Sequence, residues 1–322
     1  MRHLRILTLV VLPLSVLACS RDARPTAGLD WAYPQGNTTT FGRPLGKGPF
    51  SVPGSALVLT RTQMAAAEGP IDWFPQDHPH APAVIGGHSP GKADPCAECH
   101  GYNGAGYPGS ADLAGLPADY IIEQVNAFRS GDRRSAVANQ PNTAEMIKVA
   151  KAVTPEGLQA AARYFAGLPR TRWLRVVERK TVPRTVPDMY GWLDPAPGGG
   201  TEAIGDRIVE LSDDLPTNYL GDDHVILTDY APPGAVARGE RIAATGGASG
   251  APCSTCHGPR LNGLPPAPPI AGRPAGYVAR TLWDLRVGAR NNAGAAPMRS
   301  VAKQLSPSDI RDVSAYLASL RP

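Results

Sequence analysis

The sequence predicts an all-α fold made of two similar helical domains, with an irregular N-terminal extension and a small β segment between the domains. Three observations predict it. The chain has 322 residues, enough for two domains. It repeats itself: a shift of 157 carries Cys96 to Cys253, His100 to His257, Gly101 to Gly258, Tyr120 to Tyr277, Arg129 to Arg286 and Gly131 to Gly288. Each copy places apolar residues at helical spacing, while 35 Gly, 34 Pro and only five Phe point to short helices joined by long irregular loops.

Residues 1–18 have the build of an export signal. Arg2 and Arg5 form a basic start, Ile6 to Leu17 an apolar run too short to span a bilayer, and Val16-Leu17-Ala18 a small-ended cleavage site. Cleavage before Cys19 resembles the bacterial lipobox, which implies lipidation at Cys19 and a membrane-anchored protein of the periplasm; the alternative is an ordinary signal and a soluble periplasmic protein. Removing 1–18 takes Arg2 and Arg5 from the 32 basic residues and no acidic one, leaving 30 against 28 acidic. Such a balance gives no electrostatic footprint for nucleic acid.

Residues 19–81 read as a tether and extension that wraps the first domain; because His78-Pro79-His80-Ala81-Pro82 cannot continue a helix, Leu57 to Glu68 reads as the source of that domain's first helix. His78, His80 and His88 sit in a Pro-rich loop and read as solvated, and Met64 and Met189 as core gap-fillers. The first domain, 82–170, carries a helix opened by Pro117, with Tyr120, Ile121, Gln124 and Phe128 on one face and Gly131 closing it. A closing helix starts at Thr154-Pro155 and presents Leu158, Ala161, Phe165 and Leu168.

In the segment 171–234, three stretches have strand-like composition: 173–178, 207–211 and 224–227. It reads first as a spacer that fixes the mutual orientation of the domains, and second as a docking surface. The second domain, 235–322, repeats the plan: Ala235 to Thr245 as a first helix, then Tyr277, Val278, Leu282 and Leu285 closed by Gly288. Its last helix, from Ser306-Pro307, carries Ile310, Val313, Leu317 and Leu320. After the middle helix the shift falls to 152, which aligns Met146 with Met298 and Tyr164 with Tyr316.

The chemistry lies in Cys96-Ala97-Glu98-Cys99-His100 and Cys253-Ser254-Thr255-Cys256-His257. Cys-x-x-Cys-His is the attachment sequence of a covalently bound c-type haem, because positions i, i+3 and i+4 share one face of a helical turn and two thiols and an imidazole can meet one porphyrin. Zinc sites that pair two Cys-x-x-Cys motifs use four thiolates and leave the adjoining histidines no role. The five cysteines are consumed by the motifs except Cys19, so no structural disulfide is left to form.

On these motifs and the loops around Ala296-Pro297-Met298 and Leu305-Ser306-Pro307, residues 82–170 and 235–322 resemble tandem class I c-type cytochromes of the bacterial periplasm. The resemblance implies two covalently bound haem c groups, attached at Cys96, Cys99, Cys253 and Cys256, with His100 and Met146, and His257 and Met298, as axial iron ligands. It also implies a backbone carbonyl orienting each histidine, near Pro268 in the second copy and Ala111 by offset in the first. The expected activity is transfer of single electrons between redox partners of the periplasm or inner membrane, from a dehydrogenase or quinol-oxidising complex to an oxidase or reductase, without catalysis. Two alternatives are the cytochrome subunit of a membrane-bound dehydrogenase complex and a dihaem peroxidase, the latter disfavoured by methionines on both irons.

Overall fold

The computed structural model describes residues 26, 28–36, 47–87, 93–188 and 190–322. The export signal, Cys19, His88 and Met189 lie outside the described residues. Among those described, the first domain contains α2 (Ala83–Gly86), α3 (Ala97–His100), α4 (Ala118–Ser130), α5 (Pro141–Ala152) and α6 (Pro155–Gly167), after α1 (Arg61–Ala66) in the extension. The intervening segment holds β1 (Leu174–Glu178), β2 (Thr181–Pro183), β3 (Thr185–Pro187), β4 (Leu193–Pro195), β5 (Thr201–Ala203), β6 (Val209–Ser212), α7 (Leu215–Asn218) and β7 (Leu227–Ala231). The second domain follows as α8 (Ala235–Thr245), α9 (Ser254–His257), α10 (Ala275–Val287), α11 (Ala296–Ala302) and α12 (Pro307–Ser319).

Matching punctuation shapes the two copies. Pro117 and Pro274 precede α4 and α10, and Gly131 and Gly288 end them in left-handed backbone at φ +84° and +77°. Thr154 accepts from the Gly157 amide at the start of α6, and Ser306 forms a capping box with Asp309 at the start of α12. In the second domain α8 crosses α12 so closely that a methyl group on Gly239 would lie 2.0 Å from the Asp312 carbonyl oxygen.

The fold is not plainly all-α. Helical domains flank a β-containing segment of three small sheets. All three stretches of strand-like composition reach one sheet, ordered β1-β7-β6, although the last strand starts at Leu227 rather than His224. His224 instead stacks on Phe74 at 3.6 Å and pairs with Asp77. Two further antiparallel ladders, β2 with β5 and β3 with β4, are three residues long and Pro-interrupted, too short to show a periodicity of their own. β1 leaves the first domain and β7 enters the second, and the two pair in parallel from Leu174 with Leu227 to Glu178 with Ala231. Glu178, at the end of β1, accepts from the Gly234 and Val236 amides at the start of α8. The exit from one domain is therefore fastened to the entry of the next.

The extension differs from expectation in three ways. It splits between partners: Leu29, Ala32 and Tyr33 are buried in the core of the second domain, whereas Phe50, Val52, Trp73 and Phe74 form a separate apolar cluster that also takes in Met64 and Leu220. Secondly, α1 belongs to that cluster and not to the first domain's core; its Thr60 capping box stabilises it locally. Beside α4, the element packed on α6 is the single turn α2, whose Val84 and Ile85 are buried, because Pro79 and Pro82 prevent a longer helix there. Finally, His78 is not solvated: its side chain is 4% exposed, pairs with Asp72 and stacks on Tyr102. His80 is exposed.

Asp284 joins three segments, accepting at one oxygen from the Tyr33 hydroxyl at 2.8 Å and the Ala136 amide at 2.8 Å. Burial, opposed by these bonds and by Arg133 and Arg280, raises its carboxyl to about 6. A raised acid binds a proton in the folded state that the unfolded chain has released, so its contribution to stability falls as pH rises from about 4 to about 6, by roughly 3 kcal/mol. Asp284→Asn keeps both bonds and should remove this component, seen as a flatter dependence of the denaturation midpoint over that pH range. A second prediction concerns Gly239. Helix propensity alone favours Gly239→Ala by about 1 kcal/mol, but overlap with Asp312 should reverse the sign and cost about 1–3 kcal/mol in denaturant unfolding.

Candidate haem sites

Each Cys-x-x-Cys-His motif forms a single helical turn, α3 or α9, ended by a left-handed glycine, Gly101 or Gly258. The four cysteines are unpaired by disulfides. Burial pushes the Cys96 thiol up to about 12 and raises Cys253 as well, the opposite of the low values that mark redox or metal-binding thiolates. Among the described residues no group of three or more His, Cys, Asp or Glu side chains is placed to hold a metal ion between them, so the two motifs do not meet in a zinc site.

The histidines are held in matching ways. His100 Nδ1 lies 2.8 Å from the Ala111 carbonyl oxygen and His257 Nδ1 2.7 Å from that of Pro268. A carbonyl only accepts, so Nδ1 carries the proton and donates it, which leaves the Nε2 lone pair free. Burial lowers both imidazole pKa values and keeps the rings neutral, as a metal ligand requires.

In the first domain, Cys96, Cys99, His100 and Met146 line one cavity of about 590 Å³, whose walls are mostly apolar and include Leu116, Ile121, Val125 and Phe165. Its dimensions, its apolar lining and the four donor side chains fit a haem. Met146 reaches it from α5 without a preceding proline. Tyr277, Arg280, Thr281 and Asp284 of α10 close one side, and Tyr190 and Trp192 of the β segment another, so the site is completed by elements outside its own domain. In the second domain Cys253 and Met298 pack in one apolar cluster with Leu261, Ile270, Leu282 and Leu305, and His257 is buried.

Two pairs of arginines escaped the sequence reading as site elements. Arg129 donates from Nε to the Ala150 carbonyl at 2.8 Å and from Nη2 to that of Val153 at 2.9 Å, at the end of the methionine-bearing helix α5. Arg286 donates to the carbonyls of Ala302, Lys303 and Leu305 at the end of α11, which bears Met298. Both satisfy orphan carbonyls and oppose the negative end of the helix dipole. Arg133 and Arg290 instead cross the domain boundary to Tyr277 and Tyr120. The signal for both was present, since the shift of 157 maps Arg129 to Arg286 and Arg133 to Arg290.

Arg286→Ala should cost about 2–3 kcal/mol, because several charge-assisted bonds vanish and buried carbonyls are left without donors. Arg286→Lys should recover only part of it, since a lysine lacks the planar fork. Denaturant unfolding and amide exchange across residues 296–305 read both effects.

Comparison with known proteins agrees with this geometry. The cytochrome c family model matches residues 236–321. Cytochrome c4 of Azotobacter vinelandii is 30% identical over 235 residues, 71% of this chain and 86% of that protein. Cytochrome c4 of Pseudomonas aeruginosa is 41% identical over 234 residues, 71% and 85% of the two chains. A thiosulfate dehydrogenase electron acceptor of Thiomonas intermedia is 26% identical over 236 residues, 72% and 81%. Two attachment motifs, each with a carbonyl-held histidine and a methionine on a following helix, in a chain related to these proteins over most of their length, place it in the cytochrome c4 family of dihaem class I cytochromes: an electron-transfer protein with two covalently bound haem c groups.

Proposed function

We propose that residues 82–170 and 235–322 each hold one haem, bound through thioethers at Cys96 and Cys99 and at Cys253 and Cys256. His100 and Met146 would ligate the first iron, and His257 and Met298 the second. The observation that carries this reading is the convergence of Cys96, Cys99, His100 and Met146 on a single cavity. The bound haems supply reversible one-electron chemistry between ferric and ferrous iron. The chain's own residues do the rest: the Ala111 and Pro268 carbonyls fix the imidazoles, the apolar walls exclude water, and soft thioether sulfurs favour the ferrous state. The protein carries electrons and performs no substrate chemistry, a reading supported by methionines available to both irons. The segment 171–234 is the spacer that sets the domains' orientation.

Electrons enter from a dehydrogenase or quinol-oxidising complex and leave to an oxidase or reductase. Relatives named as electron acceptors of thiosulfate dehydrogenase support the dehydrogenase as donor, and with it the second reading, a cytochrome attached to a dehydrogenase complex. The protein acts in the periplasm, anchored through a lipid on Cys19, which the export signal and the small residues before it support.

The purified protein should contain two haems per chain by pyridine haemochrome assay and show a purely low-spin ferric spectrum. Met298→Ala should convert one haem to high spin and leave the other unchanged, and Met146→Ala the converse. A high-spin, peroxide-reactive haem in the unaltered protein sinks the carrier reading in favour of a peroxidase. Cys19→Ser should move the protein from the membrane to the soluble fraction, and stoichiometric co-purification of a dehydrogenase would establish the second reading.

A further inference from the structure

The two carbonyls that hold the histidines belong to segments joined by a buried ion pair. Asp112 follows Ala111 and is 5% exposed; Arg273 lies five residues beyond Pro268 and is 3% exposed. Arg273 Nη1 stands 2.7 Å from Asp112 Oδ1 and also donates to the Asp112 main-chain carbonyl. Its Nε donates to the carbonyl of Pro269, next to Pro268, at 3.2 Å. From the other direction Arg170 of the first domain reaches the Ala271 carbonyl, and its Nη2 lies 4.0 Å from Asp112 Oδ2. One unbroken set of contacts thus runs from the support of His100 to that of His257, with two guanidinium groups around one carboxylate.

This link was not inherited from the duplication. The shift of 157 places Pro269 opposite Asp112 and Leu116 opposite Arg273, so neither partner has a copy in the other domain. Stability alone does not account for it, since a buried ion pair contributes little beyond what packed apolar residues would. Arg273 Nη2 is also buried without a hydrogen-bond partner among the described residues. What an apolar pair lacks is directional bonding to the backbone on both sides.

We propose that Asp112 and Arg273 are positioning residues that tie the two histidine supports into one unit, so that the ligand geometry and reduction potential of each haem depend on a residue of the other domain. The inference rests on His100 and His257 being the iron ligands. It also has a definite sign. Ferric haem carries one more positive charge than ferrous haem, so a nearby buried carboxylate favours the ferric form and a guanidinium the ferrous form.

The test is potentiometric titration of both haems, with NMR of the two histidine Nδ1 protons, in holoprotein carrying Asp112→Asn, Arg273→Leu or Arg273→Lys. Asp112→Asn should raise the ferrous-to-ferric ratio of both haems at fixed potential, on the order of threefold to tenfold, tenfold being about 59 mV for a one-electron couple. Arg273→Leu should lower it at both. Arg273→Lys keeps the charge, so both potentials should return towards those of the unaltered protein while both Nδ1 resonances remain displaced, because the donors of a single ammonium nitrogen lack the spread by which Nε and Nη1 of the guanidinium reach the Pro269 and Asp112 carbonyls. If Arg273→Leu fails to retain haem, Asp112→Asn and Arg273→Lys decide the matter. Shifts confined to the haem of the substituted domain, or Nδ1 resonances unmoved in the opposite domain, would overturn the proposal. Haem content and the spectra of the methionine variants test the ligand assignment separately, so the two failures are distinguishable.

Discussion

The exchange of arginines across the domain boundary is the contact on which the rest of the molecule depends. Arg133 of the first domain donates to the Tyr277 hydroxyl, Arg290 of the second to that of Tyr120, and both also donate to Gln124. Backbone bonds from Arg134 to Ala289 and from Asn291 to Asp132 run alongside. Two guanidinium groups brought this close to one amide oxygen repel each other, and the phenols offset that cost. Burial by itself would push the Tyr277 phenol up, yet Arg133 and Arg290 outweigh it and draw it down to about 8. The repeated module thus supplies both halves of its own interface, each tyrosine meeting the arginine of the other copy.

Once the domains are held in this way, the remaining segments have defined places. Parallel pairing of β1 with β7 restricts the relation between the end of α6 and the start of α8, and Glu178 restricts it further by accepting from two amides at the start of α8. Residues 29–33 fill the groove beside α10, where Tyr33 reaches Asp284 and Arg280 donates to the Ala32 carbonyl. α10 therefore serves three structures together: the core of its own domain, the wall of the first domain's cavity and the seat of the extension.

Features that recur in the chain were legible in its sequence, and features that depend on a single distant contact were not. The helices around Pro117, Pro274, Thr154 and Ser306 carry local caps, so propensity and tertiary structure agree. The carbonyls of Ala111 and Pro268 could be located because one offset relates them. The seat of Leu29 and Tyr33 in the second domain, where Tyr33 bonds to residues 247 and 251 positions away, has no local signature. Nor does the burial of His78, whose surroundings of Asp72, Tyr102 and Tyr164 are assembled from three segments. The single turn α2 in place of a longer first helix follows from prolines that were visible, but the replacement packing of Val84 and Ile85 did not follow from them.

The duplication sets up equivalence, and the later additions remove it. Both domains have the same carbonyl-held histidine and the same arginine closing the methionine helix, features that the proposed ligand sets would need twice. The β segment, in contrast, brings Tyr190 and Trp192 to the first cavity alone, and the extension brings Leu29, Ala32 and Tyr33 to the second core alone. Charge differs as well: Glu98 and Glu145 flank Cys99 and Met146, where the second copy has Thr255 and Pro297 beside Cys256 and Met298. Carboxylates near an iron favour its ferric form. The proposed ligand set, repeated in unlike surroundings, would be a physical route to two haems of unequal potential within one chain.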